Sequence, residues 1–366
     1  MAFLTVALAA IGGSAAAREA PDAGAADRGI DVRPAAAEPS SAGWTLHVDN
    51  DLFALADRDR DYTAGVAFSL GGDSARKRAP ALFRALDGFD DALALGPFAP
   101  NGHVEGHALE LGLLLFTPQD LAAPQPLLDD RPYASLFYVS GTRLRHDEER
   151  GVAYQTSLTL GVLGLPLAGA LHRAVHDAFG SVQPRGYDHQ ISAGGEPTFR
   201  YTASRYQRLA HGELGRRPYS VRLGTDASLG YVTEINSEVA VRWGRTRLAW
   251  WESPPGSSEY AGHPPVHGVH AGRTEADGVD VLLDAGAKLR LRLYDAFLQG
   301  QFRHSDVQFS SGDVNHVLLE TWLGVTTVLN GRLSISYTIR HQTKELDAGR
   351  GARSFTWASI GIAQQF

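Results

Sequence analysis

Val281-Leu282-Leu283-Asp284-Ala285-Gly286-Ala287-Lys288-Leu289-Arg290-Leu291-Arg292-Leu293 decides the fold. The residues at odd numbers are all apolar, and those at even numbers include Asp284, Lys288, Arg290 and Arg292. In a β-strand alternate side chains point to opposite faces, so this segment has one apolar and one charged face. Tyr219 to Leu229 alternates in the same way, with Arg222, Asp226 and Ser228 opposing Val221, Leu223 and Leu229. Val152 to Val162 and Leu109 to Leu115 repeat it. A globular strand averages about 5–6 residues, and a tilted strand that crosses a bilayer needs about 9–11. These runs have the longer dimension. Alternation alone also fits a soluble sandwich with its apolar face turned inward. Length favours the other arrangement, with the apolar face on lipid and the charged face in a lumen.

Twelve strands can be counted: 44–53, 62–72, 104–117, 132–145, 151–164, 196–209, 218–230, 233–245, 279–293, 314–329, 332–344 and 354–366. The fold class is therefore all-β, a twelve-stranded antiparallel transmembrane β-barrel. Residues 296–303 offer a thirteenth strand, but the even parity of bacterial barrels makes them an extension or a loop. The chain ends on Phe366, with Ile360 and Ile362 on its face, like the terminal aromatic of outer-membrane barrels. An even count puts both barrel ends in the periplasm, so 54–61, 118–131, 165–195, 231–232, 294–313 and 345–353 are expected to face outward. The turns 146–150, 210–217 and 330–331 are short, whereas 73–103 and 246–278 are unusually long for the periplasmic side. Within 165–195, Leu167, Leu171, Val175 and Phe179 recur at helical spacing and Gly180 marks a stop, which predicts a short helix in an outward-facing loop.

The bulk composition agrees. The 366 residues carry a net charge of −7, which excludes a general nucleic-acid binder. Cysteine is absent, which removes disulfides and thiolate metal sites. Mean hydropathy is −0.18, as expected when apolar and polar positions alternate. Met1 to Ala17 reads as a signal peptide, 18–42 as a flexible linker rich in Ala and Pro, and 43–366 as the barrel.

Three clusters carry chemistry, and the topology brings them to one end. The first runs from Asp49-Asn50-Asp51 through Asp57, Asp59 and Asp61 to Tyr62-Thr63-Ala64-Gly65. Its hard oxygen donors suit Ca²⁺, though Asp is also common in plain turns. The second is Asp130-Arg131-Pro132-Tyr133-Ala134, where Arg131 either binds a phosphate or pairs with Asp129 or Asp130. The third is the helix with His172 and His176, followed by Arg185-Gly186-Tyr187-Asp188-His189-Gln190. Residues four apart share a helix face. Such histidines can be a zinc pair, a general base with its neighbour, or two solvated loop residues.

Asn50-Asp51, Asp61 to Gly65, Asp130 to Ala134 and the His176 helix, in this order, resemble the outer-membrane lipid A 3′-O-deacylase (LpxR-type) family over about residues 44–366. The resemblance implies a twelve-stranded barrel that uses Ca²⁺ to hydrolyse the 3′-acyloxyacyl ester of lipid A in the outer leaflet. It implies that His176 activates water and that Asn50, Asp51 and Thr63 lie near the metal and the ester. Asp51 is the implied metal ligand, and Arg131, His172 and Gln190 are the candidate substrate contacts. The implied partners are lipopolysaccharide and other outer-membrane lipids, with the protein as a monomer. Three departures stand out. His172 occupies a position where a characterised member has Gln, the Glu that often follows the Gln190 string is displaced to Glu196 after Gly194-Gly195, and Gln125-Pro126-Leu127-Leu128 replaces a basic pair. The competing readings are a hydrolase of phospholipid and a non-catalytic barrel such as a porin, for which Asp284, Lys288, Arg290 and Arg292 would line the pore.

Overall fold

The computed structural model describes residues 38–54, 60–93, 104–245, 249–252, 279–330 and 332–366. The expected signal peptide, most of the expected linker, Asp57 and Asp59, and most of 246–278 lie outside them. Twelve antiparallel strands close into a barrel: β1 Gly43–Asn50, β2 Asp61–Gly71, β3 Val104–Thr117, β4 Ala134–Asp147, β5 Val152–Leu163, β6 Glu196–Leu214, β7 Arg217–Gly230, β8 Val232–Gly244, β9 Val279–Asp295, β10 Val317–Leu329, β11 Leu333–Gln342 and β12 Phe355–Gln365. Gly43 pairs with Gln365 to close the ring. The end that holds Gly43 and Gln365 is called the lower end here, and the opposite one the upper end.

Alternation sorts the side chains as the sequence predicts. Leu283, Leu289, Leu291, Leu319, Leu323 and Ile335 are exposed on the outer wall, the lipid-facing belt of a membrane barrel. Their neighbours Asp284, Lys288, Arg290, Arg292, Glu320 and Ser336 are buried in the lumen. A buried charge is tolerated only when paired and hydrogen-bonded, and here the pairing is dense. Glu234 accepts from Arg290 Nη1 at 2.8 Å, Arg292 Nε at 3.0 Å and Arg200 Nη2 at 3.3 Å. Glu320 accepts from Arg340 Nη1 at 2.6 Å and also from Arg290. Lys288 lies 3.2 Å from Glu238. Trp322 fills the space between these groups because Gly286 faces it across the ladder; a Cβ there would sit 2.2 Å from the indole.

Aromatic side chains fill the lumen near both ends. At the upper end Tyr62, Phe116, Phe297 and Trp357 pack together. At the lower end Trp250 and Trp251 pack on Ala108, Leu144 and Tyr206. The Trp251 ring stacks on His146 at 3.7 Å, and Trp250 Nε1 donates to Glu148 at 2.9 Å. Small barrels fill their interiors with side chains in this way, and the pore reading loses its support. Glu320→Ala would leave Arg290 and Arg340 without this carboxylate in a buried site, a loss of roughly 3–5 kcal/mol for a broken buried pair. The expected result is a barrel that unfolds at distinctly lower temperature in a gel heat-modifiability assay, and an unchanged transition would contradict it.

The connections depart from the expectation in three places. Helices α1 (Asp73–Arg78) and α2 (Pro80–Ala92) occupy the first long lower connection. They do not hang free below the barrel. Leu82, Phe83 and Leu86 pack on Leu158 and Tyr201 of the outer wall. Asp90 accepts from Tyr201 Oη at 2.6 Å and Thr156 Oγ1 at 3.1 Å, and it pairs with Arg143. This strap lets the wall carry an Arg and a Thr that lipid would not accept. The last residues of the expected linker are docked as well, since Glu38 lies 2.7 Å from His107 Nδ1 and Ala42 N–H donates to Gly71. Residues 296–299, in the segment that offers a thirteenth strand, form a single helical turn, Ala296–Gln299. Asp295 caps it by accepting from Phe297 N–H at 2.9 Å.

Candidate functional site

The helix expected from its spacing is α3, Pro166–Phe179. Pro166 starts it at a position where the missing N–H costs nothing. Gly180 ends it with φ 66°, the left-handed conformation that glycine adopts without strain. Its amphipathicity is inverted relative to a soluble helix. Ala168, Gly169, His172 and His176 are buried, while Leu167, Leu171, Val175 and Phe179 are exposed. The apolar stripe that suggested the helix therefore faces outward, and the two histidines face the protein.

Ala168 packs in a cluster with Leu115, Leu121, Tyr133 and Tyr187, flanked by Ala64 and Leu113. Leu113 and Leu115 alternate with the lumen-facing Leu114 and Phe116, so this cluster covers the outer wall at the upper end of β2 and β3. Gly169 permits the approach, because a Cβ there would lie 2.8 Å from the Tyr187 ring. Tyr187 packs on Tyr133 with ring centroids 4.6 Å apart.

A chain of hydrogen bonds runs through the buried face. His176 Nδ1 lies 2.5 Å from the Val182 carbonyl, His172 Nε2 lies 2.8 Å from His176 Nε2, and His172 Nδ1 lies 2.9 Å from Tyr187 Oη. A carbonyl only accepts, so His176 carries its proton on Nδ1 and its Nε2 is the acceptor. His172 must then donate from Nε2 and accept from the Tyr187 hydroxyl at Nδ1. One neutral tautomer of each ring satisfies these three bonds together. Burial of both rings (4% and 7% exposed) removes the reading of two solvated histidines.

The other candidates stand on the neighbouring wall. A bulge between Tyr62 and Ala64 inserts Thr63 into the β2–β3 ladder, and its Oγ1 lies 2.5 Å from Thr117 Oγ1. Asn50 Nδ2 donates to the Thr63 carbonyl at 2.6 Å, and Asn50 Oδ1 accepts from Leu52 N–H at 2.7 Å. Asp51 is buried and its Oδ2 accepts from Arg60 N–H at 2.5 Å. Below them Asp49 is fully buried and accepts from Tyr62 Oη at 2.6 Å, with His47 Nε2 also 2.6 Å away. Asn50 and Thr63 are thus joined directly, Asp51 follows Asn50 in the chain, and Ala64, next to Thr63, touches the α3 cluster. Gln190 is buried in the same region and accepts from Ser135 Oγ at 2.9 Å.

Arg131 does not join them. It is turned into the upper lumen, paired with Glu345 and stacked 4.3 Å over the Phe116 ring. Its backbone N–H donates to Asp130 Oδ1 at 2.8 Å. Asp129 meets Arg350, and Asp130 meets Arg353 Nη1 at 2.7 Å. Burial alone would lower the Arg353 pKa, but the Asp61 and Asp130 carboxylates outweigh it and hold the guanidinium above its ordinary value. Arg353 thereby ties the β11–β12 loop to β2 and to the β3–β4 loop.

Among the described residues no three His, Asp or Glu side chains converge as a metal site. The Asp51 carboxylate and the Thr63 hydroxyl, both buried, are nevertheless hard oxygen donors. That set fits a hard cation in kind, with a single carboxylate to supply charge.

The sequence profile of the family described as "Outer membrane protein LpxR" matches residues 4–366. The chain belongs to the LpxR family. Among solved structures, LpxR from Salmonella typhimurium superposes with a TM-score of 0.67 at 16% identity, covering 89% of this chain and 100% of that one. The β domain of the Bordetella autotransporter BrkA gives a TM-score of 0.37 at 10% identity, with 90% and 100% covered. No curated protein matches the sequence at a significant level. The LpxR likeness therefore stands on the whole outer-membrane barrel, and site chemistry has to come from this chain's own residues. Sequence reasoning missed two of them as site members, Tyr187 and the Val182 carbonyl. The first stood in the Gly186-Tyr187-Asp188 string, three residues before Gln190; a backbone carbonyl leaves no signal in sequence.

Proposed function

We propose that the protein is a lipid A 3′-O-deacylase of the outer membrane, hydrolysing the 3′-acyloxyacyl ester at a site open to the outer leaflet. The observation that carries this reading is the placement of His172 and His176. They stand on the inner face of α3, packed against the outside of the barrel wall, so the imidazoles sit on the lipid side of that wall and not in the lumen. Membership of the LpxR family makes lipid A the first candidate among lipids.

The tautomers specify what each residue does. His176 Nε2 holds the lone pair, and in the resting pair it accepts the His172 N–H. An entering water displaces that N–H, gives its proton to His176 Nε2 as it attacks the ester carbonyl, and leaves an imidazolium whose Nδ1–H stays on the Val182 carbonyl. The same proton then passes to the departing sugar oxygen, so hydrolysis ends with a free hydroxyl and a fatty acid. Asn50 fixes the Thr63 backbone and so orients its hydroxyl. Asp51, with Thr63, would hold Ca²⁺, which when bound supplies the positive charge that stabilises the developing oxyanion.

Mass spectrometry of lipid A from cells that express the chain tests the reading. The expected result is loss of one acyloxyacyl unit in wild-type and none with His176→Ala. The burial of Arg131 favours a second reading, a phospholipid hydrolase, because the Arg expected to meet the sugar phosphate is spent on Glu345. Intact lipid A together with released phospholipid fatty acid would select it.

A further inference from the structure

We propose that His172 and His176 form a binding site for a divalent transition metal of the zinc type, distinct from the calcium position at Asp51, and that occupation of this site silences the base. The two Nε2 atoms point at each other across 2.8 Å from positions one helical turn apart. Each ring is anchored at its other nitrogen, His176 Nδ1 on the Val182 carbonyl and His172 Nδ1 on the Tyr187 hydroxyl. Metal-binding imidazoles are held in this manner, with the remote nitrogen donating to a carbonyl or another oxygen so that ring orientation and tautomer are fixed.

A single proton now bridges the two nitrogens. Replacing it with Zn²⁺ requires only a small adjustment. Two Zn–N bonds of about 2.0–2.1 Å at a tetrahedral angle put the nitrogens about 3.3 Å apart, so the rings separate by roughly half an ångström. The proton balance is simple. His172 moves its proton from Nε2 to Nδ1, and the Tyr187 hydroxyl changes from donor to acceptor. Both Nε2 lone pairs then meet the metal. The pair is neutral beforehand, so no proton need leave the protein. Nitrogen donors select zinc, copper or nickel over calcium. With no third His, Asp or Glu converging there among the described residues, the remaining positions fall to water, and affinity is expected to be below that of a zinc site with three or four protein ligands. The metal holds the lone pair that would take the proton from water, so it inhibits.

The inhibitory half rests on the proposed hydrolase mechanism; the binding half does not. The test titrates Zn²⁺ by calorimetry into the chelator-treated, detergent-solubilised full chain, in parallel with His172→Gln, Tyr187→Phe and His211→Gln. His211 is an exposed histidine of β6 and serves as the control. The expected results are one strong site in wild-type and in the control, at least a tenfold weaker one in His172→Gln, and an intermediate loss in Tyr187→Phe, as removal of an outer-shell partner produces about 10–100-fold losses. Equal affinity and stoichiometry in wild-type and His172→Gln would overturn the site. Wild-type hydrolysis should fall as this site fills, and the His172→Gln rate, relative to its own metal-free value, should not. Zinc bound as expected with hydrolysis undiminished would leave the metal site standing and remove His176 from the reaction.

Discussion

His176→Ala is expected to lower ester hydrolysis by about 10²–10⁴-fold, the range for a positioned general base, while the barrel still assembles. The structural cost is small by comparison. Removing the ring leaves the Val182 carbonyl and the His172 N–H each short of one partner, about 1–3 kcal/mol for each buried group. The lumen network that dominates barrel stability lies on the other side of the wall. His172→Gln should cost within about tenfold, because a Gln amide keeps an N–H donor for His176 while losing the link to Tyr187. A pair needed only for packing would make the two substitutions equally harmful to both assembly and rate. Measuring rate and heat-modifiability on the same samples separates the cases, and full activity in His176→Ala with normal assembly ends the base assignment.

The fold was legible because period two is a physical constraint repeated twelve times. Lipid on one side and a crowded charged lumen on the other force every strand to alternate. Strand limits read from alternation fall within a few residues of those found; β6 is the largest exception, running to Leu214 where 209 was expected. That extension continues past the apolar belt with exposed residues, so alternation no longer marks it. The wall strap α1–α2 was illegible for a different reason. Leu82, Phe83 and Leu86 have helical spacing, but the surface they cover is the outside of a barrel, where an uncovered apolar wall is the default. The helix α3 was readable from Leu167, Leu171, Val175 and Phe179, yet that stripe is the exposed face. In a soluble protein it would be the buried one, so direction followed from the lipid solvent and not from periodicity. Adjacency of Asn50 and Thr63 followed from strand pairing. Arg131 misled because its neighbours in sequence are acidic, whereas its partner, Glu345, is remote in the chain and meets it only when the barrel closes.

Calcium should be required, and weakly held. The described donors around Asp51 supply one carboxylate, and calcium affinity scales with the number of charged ligands, so half-saturation is expected near 10⁻⁴–10⁻³ M, the range of weak sites. A chelator should abolish hydrolysis and added Ca²⁺ should restore it. Mg²⁺ should not, because it demands near-ideal octahedral geometry and gives up its waters reluctantly. Asp51→Asn isolates the charge from the geometry. The Asn oxygen can still accept the Arg60 N–H that Asp51 now accepts at 2.5 Å, so the turn after β1 keeps its shape. The substitution removes the one negative charge assigned to the calcium position. The half-saturating calcium concentration should therefore rise at least tenfold, with the rate at physiological calcium falling in proportion. An unchanged calcium curve in Asp51→Asn would move the metal elsewhere, and full activity of the wild-type in excess chelator would remove calcium from the reaction. Zinc added to the calcium-loaded protein should act in the opposite sense, since it seeks the nitrogens of His172 and His176 and leaves the oxygens of Asp51 to calcium.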